Sequence, residues 1–333
     1  MIHSLYIAPF LFVLSFLLVK TIITIAHKKQ LLDHPNNRSS HTVPTPRGGG
    51  LGFVMVISAF LIGLVVLRII PANMGMGLII PSCALAVVGL LDDIHHLSSR
   101  LRFSLQTLCA LSAILLILEA DNSLFALLWG VLTLLGLLWS INLFNFMDGI
   151  DGITATESIF LFCALPILFF FANIQSPWGW ISLLTACPVL AFLCFNWSPA
   201  KIFMGDVGST YLGLICGLYF LIALDNGISI WSCLILPGVF LCDATWTLLT
   251  RLTTGQRWYT AHRSHAYQKL ATQFSSHVKI VIATLLINIL WLLPLAVLSN
   301  RYPAAGFGLL IVAYIPLLAI CIKARAGLPE SRY

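Results

Sequence analysis

From one end to the other, the chain alternates long apolar runs with short polar loops. The runs cover 4–26, 50–70, 74–91, 103–119, 124–146, 153–172, 178–196, 208–224, 229–250, 278–299 and 304–322. Most fall in or near the range of ~17–25 residues that an α-helix needs to cross the hydrocarbon layer. Backbone in lipid must satisfy its own hydrogen bonds, so such runs fold as helices. Only 9% of the 333 residues are charged and 59% are hydrophobic, against roughly 25% charged in soluble domains. A soluble globular fold is excluded. The expected fold is all-α, a polytopic integral membrane protein of about eleven helices, with one transmembrane domain over 1–333.

Basic residues set the orientation, because loops rich in Lys and Arg stay in the cytoplasm. Eleven spans place 27–49, 92–102, 147–152, 197–207, 251–277 and the C-terminal residues on one face, and with Lys20 and Lys279 at adjoining helix ends this face holds 16 of the 18 Lys and Arg residues. The first run is too long for a signal peptide, and Lys20, Lys28 and Lys29 follow its start. It is expected to be retained, with the N-terminus periplasmic and the C-terminus cytoplasmic. This basic bias needs no nucleic acid; anionic membrane lipid is the simpler partner. The nine cysteines show no metal-ligand spacing and mostly lie inside apolar runs, as small packing residues do.

The cytoplasmic loops carry the chemistry. The first runs from Asp33 to Gly50 and is basic, with prolines and three glycines. It suits either a phosphate or a solvated connector. Asp92 and Asp93 end the third run, and their mutual repulsion calls for a metal, a basic partner or a shared proton; a helix cap is the bland alternative. The string Asn142-Leu-Phe-Asn145-Phe-Met-Asp148-Gly-Ile-Asp151-Gly points oxygen ligands at a tight turn, as magnesium or manganese requires, and it lacks the distal Glu of a calcium loop. In Asn196-Trp-Ser-Pro-Ala-Lys201-Ile-Phe-Met-Gly-Asp206-Val-Gly-Ser209, a lysine able to meet phosphate precedes a helix start. Asp206 or Ser209 could alternatively be the N-cap. The last segment brings His262, Arg263 and His265, suited to phosphate contacts or, less well, to zinc. Asp243 lies inside an apolar run and is expected to partner Lys201 or Arg251.

In motif content and order the chain resembles the polyprenyl-phosphate N-acetylhexosamine-1-phosphate transferases, the MraY and WecA superfamily of glycosyltransferase family 4. The strings NLFNFMDGIDGI and FNWSPAKIFMGDVGS carry the likeness. It implies Mg-dependent transfer of a sugar 1-phosphate from a UDP-N-acetylhexosamine to undecaprenyl phosphate, with UMP released at the cytoplasmic face of a bacterial inner membrane. It further implies catalytic Asp92 and Asp93, metal ligands Asn145 and Asp206, and nucleotide-sugar contacts from Asn142, Asp148, Asp151, Lys201, His262, Arg263 and His265. Manganese is the alternative metal. Direct attack is favoured over an aspartyl-phosphate intermediate.

Where the peptidoglycan branch has three histidines, this chain reads His262-Arg263-Ser264-His265. That string and Asp-Asp-Ile-His-His look more like the WbpL branch, which starts O-antigen or related lipopolysaccharide glycans with deoxy sugars such as FucNAc or QuiNAc; UDP-GlcNAc is the runner-up donor. A transporter or flippase would place its charges at mid-membrane, whereas here they gather at span ends. The oligomeric state is left open, a homodimer included.

Overall fold

The computed structural model describes residues 4–30, 32–33, 44–118, 123–257 and 262–329. Most of the first loop, 34–43, and residues 258–261 of the last lie outside the described residues. The helices are α1 (Ser4–Lys28), α2 (Gly50–Val66), α3 (Ala72–His95), α4 (Ser99–Ile117), α5 (Leu124–Met147), α6 (Ile153–Phe171), α7 (Pro177–Asn196) and α8 (Asp206–Asp225). They continue as α9 (Ile230–Ile235), α10 (Gly238–Thr253), α11 (Ala266–Gln273), α12 (His277–Ile287), α13 (Leu293–Arg301) and α14 (Gly306–Lys323). The one sheet among the described residues is a two-residue antiparallel pair, Leu32–Asp33 with Thr45–Pro46. The chain is an all-α, multi-pass membrane protein.

Among the described residues, nine helices are long and apolar enough to span a bilayer. The run expected at 50–70 forms the shorter apolar helix α2 of 17 residues. The run at 229–250 is not one continuous helix: it breaks between Ile235 and Gly238, where Pro237 cannot continue the backbone hydrogen-bond ladder. Between α12 and α13, Asn288–Leu292 forms a π turn within one long span.

The backbone packs into two compact units, each described by itself. Among the described residues, the first comprises 4–30, 32–33, 44–118, 123–145 and 184–221; the second comprises 146–183, 222–257 and 262–329. In the first, α8 is the central element, 83% of its apolar window being buried against 17% for α1. Lipid supplies no hydrophobic drive between helices, so close packing through small residues takes its place. Gly50 of α2 lies directly against Gly208 of α8, with no room for a Cβ on either. A Cβ on Gly89 of α3 would stand 2.5 Å from the carbonyl carbon of Asp206. Gly213 of α8 likewise meets the backbone of Ser140 and Ile141 in α5. These contacts draw the ends of α2, α3 and α5 onto the start of α8. In the second unit, α14 packs on α9, α10 and α13, and α6 packs on α12 and α13.

Candidate active site

At one end of the first unit, three carboxylates meet two arginines. The helix hairpin α3–α4 begins the arrangement. Its turn places His96 in the left-handed region at φ 50° and caps α4 through Ser98, whose Oγ accepts from Leu101 N–H. Asp92 and Arg102 are each five residues from Leu97 on opposite arms, and they pair at 2.7 Å between Asp92 Oδ2 and Arg102 Nη1. Asp92 Oδ1 accepts the backbone N–H of Leu97 at 2.7 Å. Arg102 also reaches Asp206 Oδ2 at 3.5 Å.

Asp93 does a different job. Its two oxygens accept the N–H groups of Asp206 (3.0 Å) and Val207 (3.3 Å), the first residues of α8. It thereby satisfies N–H groups that a helix start leaves without partners, and it does so from another helix. Gly205 precedes them at φ +76°, where a Cβ would stand 2.5 Å from the Asp93 carboxylate. Arg47 closes the group, with Nε 3.0 Å from Asp93 Oδ1 and Nη2 3.0 Å from Asp206 Oδ1. The capping that the alternative reading gave to Asp206 or Ser209 is therefore supplied by Asp93, and Asp206 is left to face the arginines. Arg102 Nη1 lies against both Asp92 Oδ2 and Asp206 Oδ2, so the two carboxyls converge on one guanidinium. Converging ionised carboxylates repel, so a shared proton or a cation belongs there.

Asn145, in the last turns of α5, donates to Ser209 Oγ at 3.3 Å. Ser209 is three residues beyond Asp206 on α8, so the two share a helix face and Asn145 is held within about a turn of Asp206. Asn142, one turn back, donates to Gln106 Oε1 (3.0 Å) and Leu138 O (2.8 Å), joining α5 to α4. Lys201 is exposed on the turn before α8.

The second unit holds the remaining expected residues. Asp151 meets His277, at the start of α12, with Oδ2 3.2 Å from Nδ1. Asp148 is half-buried beside Gly149, which packs against Tyr267 and Gln268 of α11. The hydroxyl of Tyr267 donates to Phe146 O at 3.0 Å; burial pushes its pKa well up, so it stays a donor. Asp243 does not pair with Arg251, whose guanidinium donates to Gln256 Oε1 and Arg257 O. Instead it accepts from Ala266 N and Tyr267 N, both at 2.9 Å, and contacts His265 Nδ1 at 3.2 Å. The helix α11 has free N–H groups at its start, and the nearest buried carboxylate takes them.

The His262 and His265 rings stack with centroids 5.0 Å apart. Burial, together with electrostatic interaction with His265 and Arg251, depresses the pKa of His262 to about 3, so it is a neutral imidazole at working pH. Its Nδ1 lies 3.0 Å from Ser264 Oγ. Arg263 is half-buried and reaches Thr272 Oγ1 at 3.4 Å.

Arg102 and His277 were not singled out in the sequence, and Arg47 only as part of a basic loop. The equal spacing of Asp92 and Arg102 about a short hairpin was a usable signal for the first. His277 carried none, being 126 residues from its partner Asp151.

A multi-pass helical protein with a carboxylate–arginine centre at helix ends is the class these features define. Residues 75–224, which include Asp92, Asp93, Asn145, Asp148, Asp151 and Asp206, match glycosyl transferase family 4. Over that stretch the chain is similar to the family, which supports the resemblance drawn from the motifs. It is 28% identical over 300 residues to a probable undecaprenyl-phosphate N-acetylglucosaminyl 1-phosphate transferase of Bacillus subtilis, covering 86% of this chain and 83% of the relative. It is also 28% identical over 340 residues to the undecaprenyl-phosphate α-N-acetylglucosaminyl 1-phosphate transferase of Escherichia coli O157:H7, covering 95% and 90% of the two chains. A Thermotoga maritima enzyme with that same activity is 30% identical over 201 residues, 60% of each chain.

Proposed function

We propose that the protein transfers an N-acetylhexosamine 1-phosphate from a UDP-sugar to a polyprenyl phosphate in the bilayer, at the cytoplasmic face of a bacterial inner membrane. The convergence of Asp92 and Asp206 on Arg102, with Arg47 joining Asp206 to Asp93, carries the proposal. Carboxylates suited to a divalent cation and guanidiniums suited to phosphate there stand at helix ends in a chain whose named relatives are sugar-phosphate transferases.

The donor set fits magnesium. Among the described residues no three His, Cys, Asp or Glu side chains form a ready metal cage. Magnesium in phosphoryl transfer needs none, since one or two carboxylates, substrate phosphates and water complete its shell. Asp206, with Asn145 beside it, would hold the ion, which neutralises charge on the diphosphate when bound. Asp92 is the better placed proton acceptor for the lipid phosphate, because Asp93 is committed to the start of α8. An oxygen of the lipid phosphate then attacks the sugar-bearing phosphorus. The bond from that phosphorus to the bridging oxygen breaks and UMP departs. Positioning and charge neutralisation supply most of the catalysis in such transfers. Arg47 and Arg102 offer donors to the oxygens of the phosphates, while Asp148, Asp151, Lys201, His262, Arg263 and His265 are assigned to the nucleotide-sugar.

The names of the relatives favour GlcNAc as the sugar; the His-Arg-Ser-His string favours a deoxy sugar of an O-antigen pathway. Purified protein offered undecaprenyl phosphate, magnesium and a panel of radiolabelled UDP-N-acetyl sugars decides. Label in the lipid fraction with stoichiometric UMP supports the transfer and names the sugar. Label that stays water-soluble for every donor contradicts it.

A further inference from the structure

The loop 262–265 has no regular secondary structure, and Asp243 anchors only its exit into α11. Its other anchor comes from the segment that follows α14. Gly327 N–H donates to Ser264 O at 2.8 Å, and Gly327 O accepts from Gln256 Nε2 at 2.9 Å. Lys269 Nζ donates to Arg325 O at 2.6 Å and to Leu328 O at 2.8 Å. Between these bonds, Ala326 is 1% exposed and packs with Ala266 and Cys321 against Trp246. Gly327 sits at φ +80°, and a Cβ there would stand 2.6 Å from Thr250 Cβ and 2.8 Å from Thr247 O. Only glycine fits, by conformation and by space. Gln256 is in turn fixed by Arg251.

We infer that the segment 324–328 is a clamp that positions the His262–His265 loop for the nucleotide diphosphate of the donor, with Gln256, Lys269 and Gly327 as its positioning residues. The inference rests on the transferase reading for the identity of that ligand. A segment packed only to finish the fold would need its apolar contacts alone. Here four hydrogen bonds run to the loop, to Gln256 beyond the end of α10 and to Lys269 of α11, and one of them is made to the carbonyl of Ser264, whose hydroxyl meets His262. Freeing the clamp leaves the loop a larger ensemble to order, and that ordering cost falls on donor binding.

The test uses the full chain in detergent with Lys269→Met, Gly327→Val and the conservative Lys269→Arg. Donor KM is expected to rise roughly tenfold in the first two, equivalent to ~1.4 kcal/mol. Lipid-acceptor KM and kcat stay within about twofold, and amide exchange at 262–265 quickens. Lys269→Arg, which keeps donors for the two carbonyls, restores donor KM. Faster exchange with unchanged donor KM overturns the proposal, as does an equal loss in every kinetic constant. If unmodified protein forms no lipid-linked sugar, the transferase reading falls instead. The clamp is then judged on UDP affinity, where the same loss supports it and equal affinity overturns it.

Discussion

Asp93 accepts the backbone N–H of Asp206 at 3.0 Å, so the second carboxylate of an adjacent pair builds the helix start that presents the third. Its neighbour Asp92 makes no such bond to α8 and pairs with Arg102. Two adjacent acids thus separate into a positioning group and a chemical one.

Asp92→Asn and Asp93→Asn should therefore fail differently. Asp92→Asn is expected to lower kcat by about 10²–10⁴, the usual range for a lost acid–base group, with a smaller loss of thermal stability than Asp93→Asn. Asp93→Asn keeps one acceptor oxygen and should cost about 0.5–2 kcal/mol of stability, as a lost N-cap does, along with activity. Parallel turnover and melting measurements check the split. Equal melting losses in both variants would contradict it.

Arg102→Met takes one positive charge from a cluster of three aspartates and two arginines, moving its formal charge from −1 to −2. The magnesium concentration for half-maximal turnover should fall, while donor KM rises, because a guanidinium that could meet phosphate is gone. A magnesium titration at several donor concentrations reads both. A higher magnesium requirement would speak against Arg102 as competitor for these carboxylates.

How much of this was legible beforehand follows from what each feature depends on. Apolar runs and acidic loops are local, so the helical membrane fold and the clusters around Asp92, Asn145 and Asp206 could be read directly. The break at Pro237 was also written in the Pro-Gly pair, but the hydropathy of 229–250 masks it. Partnerships were not legible. Asp243 finds α11 rather than Arg251 because α10 and α11 pack together, and the start of α11 aims the N–H groups of Ala266 and Tyr267 at its carboxylate. The capping of α8 by Asp93 depends on glycines 89 and 205 allowing close approach, which no spacing rule encodes.

Gly89→Leu should test that approach. Any side chain there meets the Asp206 backbone, so α3 must move from α8 and carry Asp92 with it. Small misplacements of this kind cost about 10²-fold in rate. Turnover is expected to fall by that order while the protein still extracts as a folded species. Full activity would mean that α3 and α8 need not touch.

Acid sensitivity follows from His262. Its folded pKa near 3 lies below the ordinary 6.5, so between those values the unfolded chain binds the proton and the folded one does not. Stability is fully present above pH 6.5 and declines as pH falls toward 3. His262→Asn should flatten the loss between pH 6.5 and 5, where few carboxylates titrate. Melting curves across that window check it, and identical slopes for the two proteins would contradict a buried neutral imidazole.

The most direct measurement is magnesium-dependent formation of lipid-linked sugar by Asp206→Asn beside the unmodified protein, in the same membranes at the same expression. The account predicts no product above background at any magnesium concentration, with the variant folded and extracted normally. Near-normal turnover, or turnover restored without a divalent cation, would contradict Asp206 as the residue that holds the metal.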